Sequence, residues 1–273
     1  MSNRYVLVLS CALLLVGCGE TTKHTETEPS LPSVVTETIT YEHEGVELEG
    51  VLAYDENATG KQPGVLVIHE WWGLDDHPKE RAKRLAEQGY VTFCLDMYGK
   101  GKLTGDPAQA KEWSSAFYGD PHGFGRKRLL AGFDVLKNHE RVDASRLGAM
   151  GFCYGGTVAL ELAWSGVDVK GVVCFHGNLM NPPEADAKNV KADVLVCNGA
   201  ADVWVPKEML EGFDDALTKA GIEHRIENYE GAVHAFTNPG ADARGIDNVA
   251  YDKAADEASW KSMTAFFAER LKP

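Results

Sequence analysis

Met150 to Gly156 reads MGFCYGG, a Gly-x-nucleophile-x-Gly pattern with Cys153 where serine is more usual. Its flanks decide the fold. SRLGAMGF (145–152) before it is apolar and strand-like, and GGTVALELAWSG (155–166) after it reads as a helix. Strand, sharp turn and helix are the context in which such a residue is held at the apex of the turn. Crowding at the apex leaves no room for side chains two positions away, which accounts for Gly151 and Gly155. The following helix aims its first N–H groups and the positive end of its dipole at the sulfur, an environment that favours thiolate. A small buried thiol between glycines is the competing reading, and the strand and helix on either side favour the nucleophile.

Outward from the turn the same alternation repeats. GVLVIHE (64–70), YVTFCLD (90–96), VKGVVCFHG (169–177), ADVLVCNG (192–199) and EHRIENYEG (223–231) read as strands. DDHPKERAKRLAEQG (75–89), DPAQAKEWSSAFYG (106–119), GRKRLLAGFDVLKNH (125–139), PKEMLEGFDDALTKAG (206–221) and residues 248–271 read as helices. VVTETITYEHEGVELEGVLAY (34–54) alternates on both sides of His43-Glu44-Gly45, a hairpin signal. Continuous apolar strands separated by helices predict an α/β fold: a mainly parallel sheet with helices on both faces, entered through an N-terminal antiparallel hairpin. That is the α/β-hydrolase layout. Everything from Val34 to Pro273 reads as one domain.

The start of the chain has another character. YVLVLSCALLLVG (5–17) is an apolar run behind Arg4, too short for a comfortable membrane span and suited to a signal segment. It ends in LVGC (15–18), which resembles the lipobox of bacterial lipoproteins. That resemblance implies cleavage after residue 17 and lipidation of Cys18, with residues 18–33, rich in Thr, Glu and Pro, as a disordered tether. The expected location is the cell envelope. Gly19 in place of Asp after the cysteine resembles an outer-membrane address in a two-membrane bacterium. The net charge of −14 argues against a nucleic-acid partner, because phosphate binding needs a basic face. Cys94, Cys174 and Cys197 lie in strand-like runs and read as buried thiols; nothing in the spacing supports or removes a Cys174–Cys197 disulfide.

In open sheets of this kind ligands bind at the carboxyl ends of the strands, and that rule filters the candidates. Asp202 follows the strand ending NG, and His234 follows the last strand, whereas Asp193 and His224 stand at strand starts, with His224 expected to be solvated. His176 ends a strand on the correct side and is expected to line the pocket. The order nucleophile, acid, histidine then gives Cys153, Asp202 and His234 as the catalytic set, Asp202 holding the imidazole tautomer and His234 taking the thiol proton. IHEWWGLDDH (68–77) closes the other side. The backbone N–H groups of Trp71 and Tyr154 are the expected oxyanion donors. His69, Glu70, Asp75 and His77 match no standard metal-ligand spacing, so neither metal nor cofactor is expected. Trp71 and Trp72 suit a pocket wall and plain packing equally well.

With HEWWG (69–73), CLDMYG (94–99), MGFCYGG, NGAADVWVP (198–206) and GAVHAFTNP (231–239) in place, the chain resembles the dienelactone hydrolase family over about 235 residues. The resemblance implies hydrolysis of an enol-lactone or related ester through a cysteinyl thioester. It carries over Cys153, Asp202 and His234, and adds Glu70 as a carboxylate facing the thiol, able to keep it as S–H until substrate arrives. One position departs. Four residues after the histidine the family places an arginine that grips a substrate carboxylate, and here stands Asn238. Arg126 and Arg128 lie nearer the next helix and are expected to be solvated. The substrate is therefore expected to be a small-molecule ester or lactone more apolar than a dianionic dienelactone. A thioesterase or small peptidase on the same residues is the alternative, and a non-enzymatic surface lipoprotein the alternative of another class. The oligomeric state is not legible.

Overall fold

A computed structural model describes residues 31–272. The signal segment 1–17, the lipidation of Cys18 and the tether up to residue 30 lie outside the described residues. Among those described, no helix is long and apolar enough to cross a membrane.

The chain enters through two antiparallel strands, β1 (Val34–His43) and β2 (Val46–Asp55), joined at Glu44 and Gly45, both left-handed with φ of 51° and 75°. A two-residue turn of that hand matches the twist of the flanking strands. The strands β3 (Gln62–Ile68), β4 (Val91–Leu95), β5 (Val142–Phe152), β6 (Gly171–Phe175), β7 (Asp193–Gly199) and β8 (His224–Tyr229) complete an eight-stranded sheet. Its order is β1-β2-β4-β3-β5-β6-β7-β8, and every pair from β4 to β8 is parallel. The α/β-hydrolase layout expected from the sequence is the one observed.

Alternate residues of the strands feed two cores. Val65, Val67, Val173, Phe175, Leu195 and Cys197 face α1 (Asp76–Ala86) and α7 (Lys253–Leu271). Leu66, Ile68, Val172, Cys174, Val194 and Val196 face α3 (Arg126–Lys137), α4 (Tyr154–Trp164) and α6 (Lys207–Ala220). The period of two along a strand makes this division. It also answers the disulfide question. Cys174 is paired in register with Val196, not Cys197, so the two thiols lie on opposite faces of the sheet, and both are free.

The remaining helices are α2 (Pro107–Gly119), which leads through a wide turn at Pro121–Gly125 into α3, and the short α5 (Glu184–Ala187). The last helix begins later than the sequence pattern predicts. Asp252 caps it by accepting from the Ala255 N–H at 3.0 Å, and residues 248–252 form a non-helical strap that begins in a turn at Asn248 instead.

Candidate active site

Cys153 occupies the turn between β5 and α4 with φ 53° and ψ −118°, outside the regions open to an ordinary L-residue. A Cβ on Gly151 would meet the Gly155 carbonyl oxygen at 1.9 Å, and one on Gly155 would meet that of Ile68 at 2.4 Å. Backbone contact therefore imposes both glycines. The Cys153 N–H is shared between the Phe175 carbonyl at 3.0 Å and His176 Nδ1 at 3.1 Å.

His234 comes to the sulfur from the loop after β8. Its Nδ1 lies 2.7 Å from Asp202 Oδ2, and Cys153 is near enough to the same ring to act on its charge. Burial pulls the imidazole pKa down, but the neighbouring Cys153 and the Asp202 carboxylate outweigh it and lift it to about 10.

The histidine loop is held from three sides. The Thr237 hydroxyl meets His176 Nε2 at 2.8 Å. Arg81 donates to the Thr237 carbonyl and pairs with Asp256 at 2.8 Å. The strap supplies the third hold. The Asn248 carbonyl accepts the His234 N–H at 3.1 Å, while its side-chain Nδ2 donates to Asp202 Oδ1 at 3.2 Å. The sequence pattern places Asn248 in a helix and gives no hint of this role. Its only signal is Asp252, three residues before Ala255, the spacing of a helix cap.

Glu70, Trp71, Trp72, Tyr118, Trp204, Val205, Ile246 and Val249 line a cavity of about 260 Å³ together with Cys153 and His234. Trp71 and Trp72 are thus pocket wall, their rings 4.8 Å apart, and Arg244 covers Trp72 at 4.3 Å. Trp204 stands edge-on to the His234 ring at 4.7 Å. Trp71 and Tyr154 both line the cavity. Glu70 is buried, but its observed partner is Asn238, whose Nδ2 donates to the carboxylate at 2.7 Å, rather than Cys153. Burial, with Asp75 adding to it, pushes its carboxyl up to about 7.

Several neighbours differ from expectation. His176 is fully buried beneath His234 and braces the turn instead of lining the cavity. His224 is shielded and bonded to Asp214 Oδ1 at 3.0 Å, because α6 packs over the start of β8. Arg126 pairs with the buried Glu161 and with Asp186, and Arg128 is buried against His43 at 2.9 Å, so neither is solvated. Both arginines cover α3's junction with its neighbours, where their stems pack as well as their charges. His69 accepts the Met97 N–H at 3.2 Å, and His77 packs 4.6 Å from Phe152. Among the described residues, no three His, Cys, Asp or Glu side chains are grouped to hold a metal ion.

The sequence model of the dienelactone hydrolase family matches residues 48–271. A crystal structure of P91, described as a dienelactone hydrolase-like promiscuous phosphotriesterase from metagenomic libraries, superposes with a TM-score of 0.84. It is 35% identical, over 87% of this chain and 99% of that one. Protein usf of Aquifex pyrophilus is 29% identical over 85% of this chain and 98% of its own length. An Aquifex aeolicus protein provisionally named carboxymethylenebutenolidase is 28% identical over 86% and 98%.

Proposed function

This chain belongs to the dienelactone hydrolase family of carboxylic ester and lactone hydrolases, and on that premise we propose that it works through Cys153, His234 and Asp202 by way of a cysteinyl thioester. The observation that carries the reading is the 2.7 Å contact between Asp202 and His234 Nδ1, which leaves the other ring nitrogen for the sulfur at the apex of its turn. His234 takes the thiol proton, and the sulfur's electron pair forms a bond to the substrate carbonyl carbon. The oxyanion is assigned to the Trp71 and Tyr154 N–H groups. Collapse breaks the ester C–O bond, His234 protonates the departing alkoxide, and the acyl group stays on sulfur. Water, losing its proton to His234, then attacks the thioester. Cys153 leaves as thiolate and the acid is released.

To Glu70, in the same cavity wall, the reading gives restraint of the thiol before substrate arrives. Faster peroxide inactivation of Glu70→Gln would support that role, and an unchanged rate would remove it. Asn238 is bound to Glu70 and, at 2.9 Å, to the Gly240 N–H, and brings no charge. Among the described residues, no Lys or Arg lines the cavity. Both features support an uncharged ester or lactone over a dianionic one. The test is mass spectrometry of protein quenched during turnover of p-nitrophenyl esters and lactones. An acyl mass on the Cys153 peptide, absent in Cys153→Ala, is expected, and turnover by Cys153→Ala at the wild-type rate would end the reading. A neutral phosphotriester belongs in the panel, because the 35% identical relative is described as a phosphotriesterase.

We propose also that Cys18 carries lipid, on the strength of the apolar run and LVGC. Labelled palmitate should enter the wild-type protein and not Cys18→Ser.

A further inference from the structure

The rim of the cavity is more apolar than the chemistry beneath it requires. Among the described residues five large hydrophobic side chains are exposed, and four of them, Leu103, Tyr118, Val203 and Trp204 at 45% to 68% exposure, either line this cavity or stand on the segments next to its lining. Tyr118 and Trp204 line the cavity itself. Val203 precedes Trp204 on the loop after β7, its N–H donating to Asn248 Oδ1 at 3.4 Å. Leu103 is bridged to Gly73, and the next residue, Thr104, donates to the Trp72 carbonyl at 3.0 Å, which sets Leu103 beside the tryptophan wall. Single exposed apolar residues need no explanation. A set concentrated at one opening does, because apolar surface left in water at a pocket mouth marks a place where apolar surface is received.

The interior agrees with the rim. Trp71, Trp72 and Val249 give the cavity wall its character, and its one carboxylate among the described residues, Glu70, is neutralised in part by burial and bound to Asn238. Arg244, beside the wall, is engaged over Trp72 and with Asp75 at 3.4 Å. A carboxylate-bearing substrate would meet no Lys or Arg among the described residues lining the cavity and would approach a chain of net charge −14. A volume of about 260 Å³ is small for a long chain, so whatever exceeds it must leave across the rim.

Resting on the ester-hydrolase reading, we propose that the substrates are esters of uncharged, extended acyl chains, with the carbonyl at Cys153 and the distal methylenes laid over Leu103, Tyr118, Val203 and Trp204. The rim is then a second, outer subsite for the acyl tail.

The test is a series of p-nitrophenyl esters from acetate to dodecanoate, below their aggregation limits. Wild type is compared with a Leu103→Ser, Val203→Ser double variant, whose two side chains are exposed and do not line the cavity. For wild type, kcat/KM should rise roughly fourfold per added methylene while the cavity fills, and more gently beyond. The double variant should keep the wild-type rate on acetate and lose about tenfold on decanoate through KM. A wild-type optimum at acetate, or a variant slowed equally on acetate and decanoate, overturns the outer subsite. So does a variant with an unchanged chain-length profile and a smaller sedimenting mass, which would assign the rim to a second copy of the chain. Absence of turnover on every ester, acetate included, overturns the ester-hydrolase reading itself.

Discussion

Glu70 shows how one buried group ties stability to pH. Burial raises its pKa from 4.5 to about 7, so the folded protein holds this proton more tightly than the unfolded chain does. The stability this confers is fully present below pH 4.5 and is lost as pH rises through 7. Above pH 7 the loss approaches about 3 kcal/mol, since each tenfold difference in proton affinity between the folded and unfolded chain is worth about 1.4 kcal/mol. Glu70→Gln keeps an acceptor for Asn238 and has no proton to lose. Its melting temperature should match wild type at pH 4.5 and exceed it by several degrees at pH 8. Equal melting temperatures at both pH values would show that the carboxyl is not held near neutrality. The family resemblance implied a carboxylate turned toward the thiol; the observed partner, Asn238, is the residue that departs from the family pattern. No local signal in the sequence joins positions 70 and 238, which meet only when the first and last thirds of the sheet are assembled.

At the scale of elements, the turn at Cys153 was legible because a backbone clash leaves a mark in sequence: Gly151 and Gly155 have no alternative. The strap at 248–252 was not legible, since its composition continues smoothly into α7 and its work is done by hydrogen bonds to loops far away in the chain. Asn248, with φ 63°, takes a left-handed conformation that Asn tolerates better than most residues. Its side chain spans Asp202 Oδ1 and the Val203 N–H while its carbonyl holds the His234 N–H. Two substitutions separate backbone from side chain. Asn248→Gly retains the left-handed turn and loses the bond to Asp202, so kcat should fall about tenfold with KM and melting temperature little changed, a hydrogen bond to a charged group contributing about 1.5–3 kcal/mol. Asn248→Ala loses the same bond and also strains the turn, so it should match the glycine variant in kcat and melt lower by about 1–2 kcal/mol of stability. Wild-type kcat in both would leave the strap a purely structural connection. The same reasoning explains Arg128 and His224: a polar residue in a helix or at a strand end reads as solvated until the element packed over it is known.

Over the whole molecule the sheet sorts the thiols by reactivity. Cys94, Cys174 and Cys197 sit in strands whose two faces are both covered, and each is fully buried. Burial pushes the Cys94 and Cys174 thiols up to about 12 and raises Cys197 as well, so all three stay protonated at neutral pH. Cys153 alone among the described cysteines leaves the sheet, is only half-buried, and meets His234 at the head of a helix. The fold therefore separates one accessible thiol from three inert packing atoms through topology, and in sequence only the glycines around Cys153 mark the difference. Iodoacetamide at pH 7.5 should modify the Cys153 peptide of the native protein within minutes and leave the Cys94, Cys174 and Cys197 peptides unmodified. In guanidinium all four should react at similar rates. Native modification of Cys94, Cys174 or Cys197 at a rate near that of Cys153 would mean that the sheet opens far more readily than its two covered faces imply, because a buried thiol reacts only in proportion to the population of the opened state.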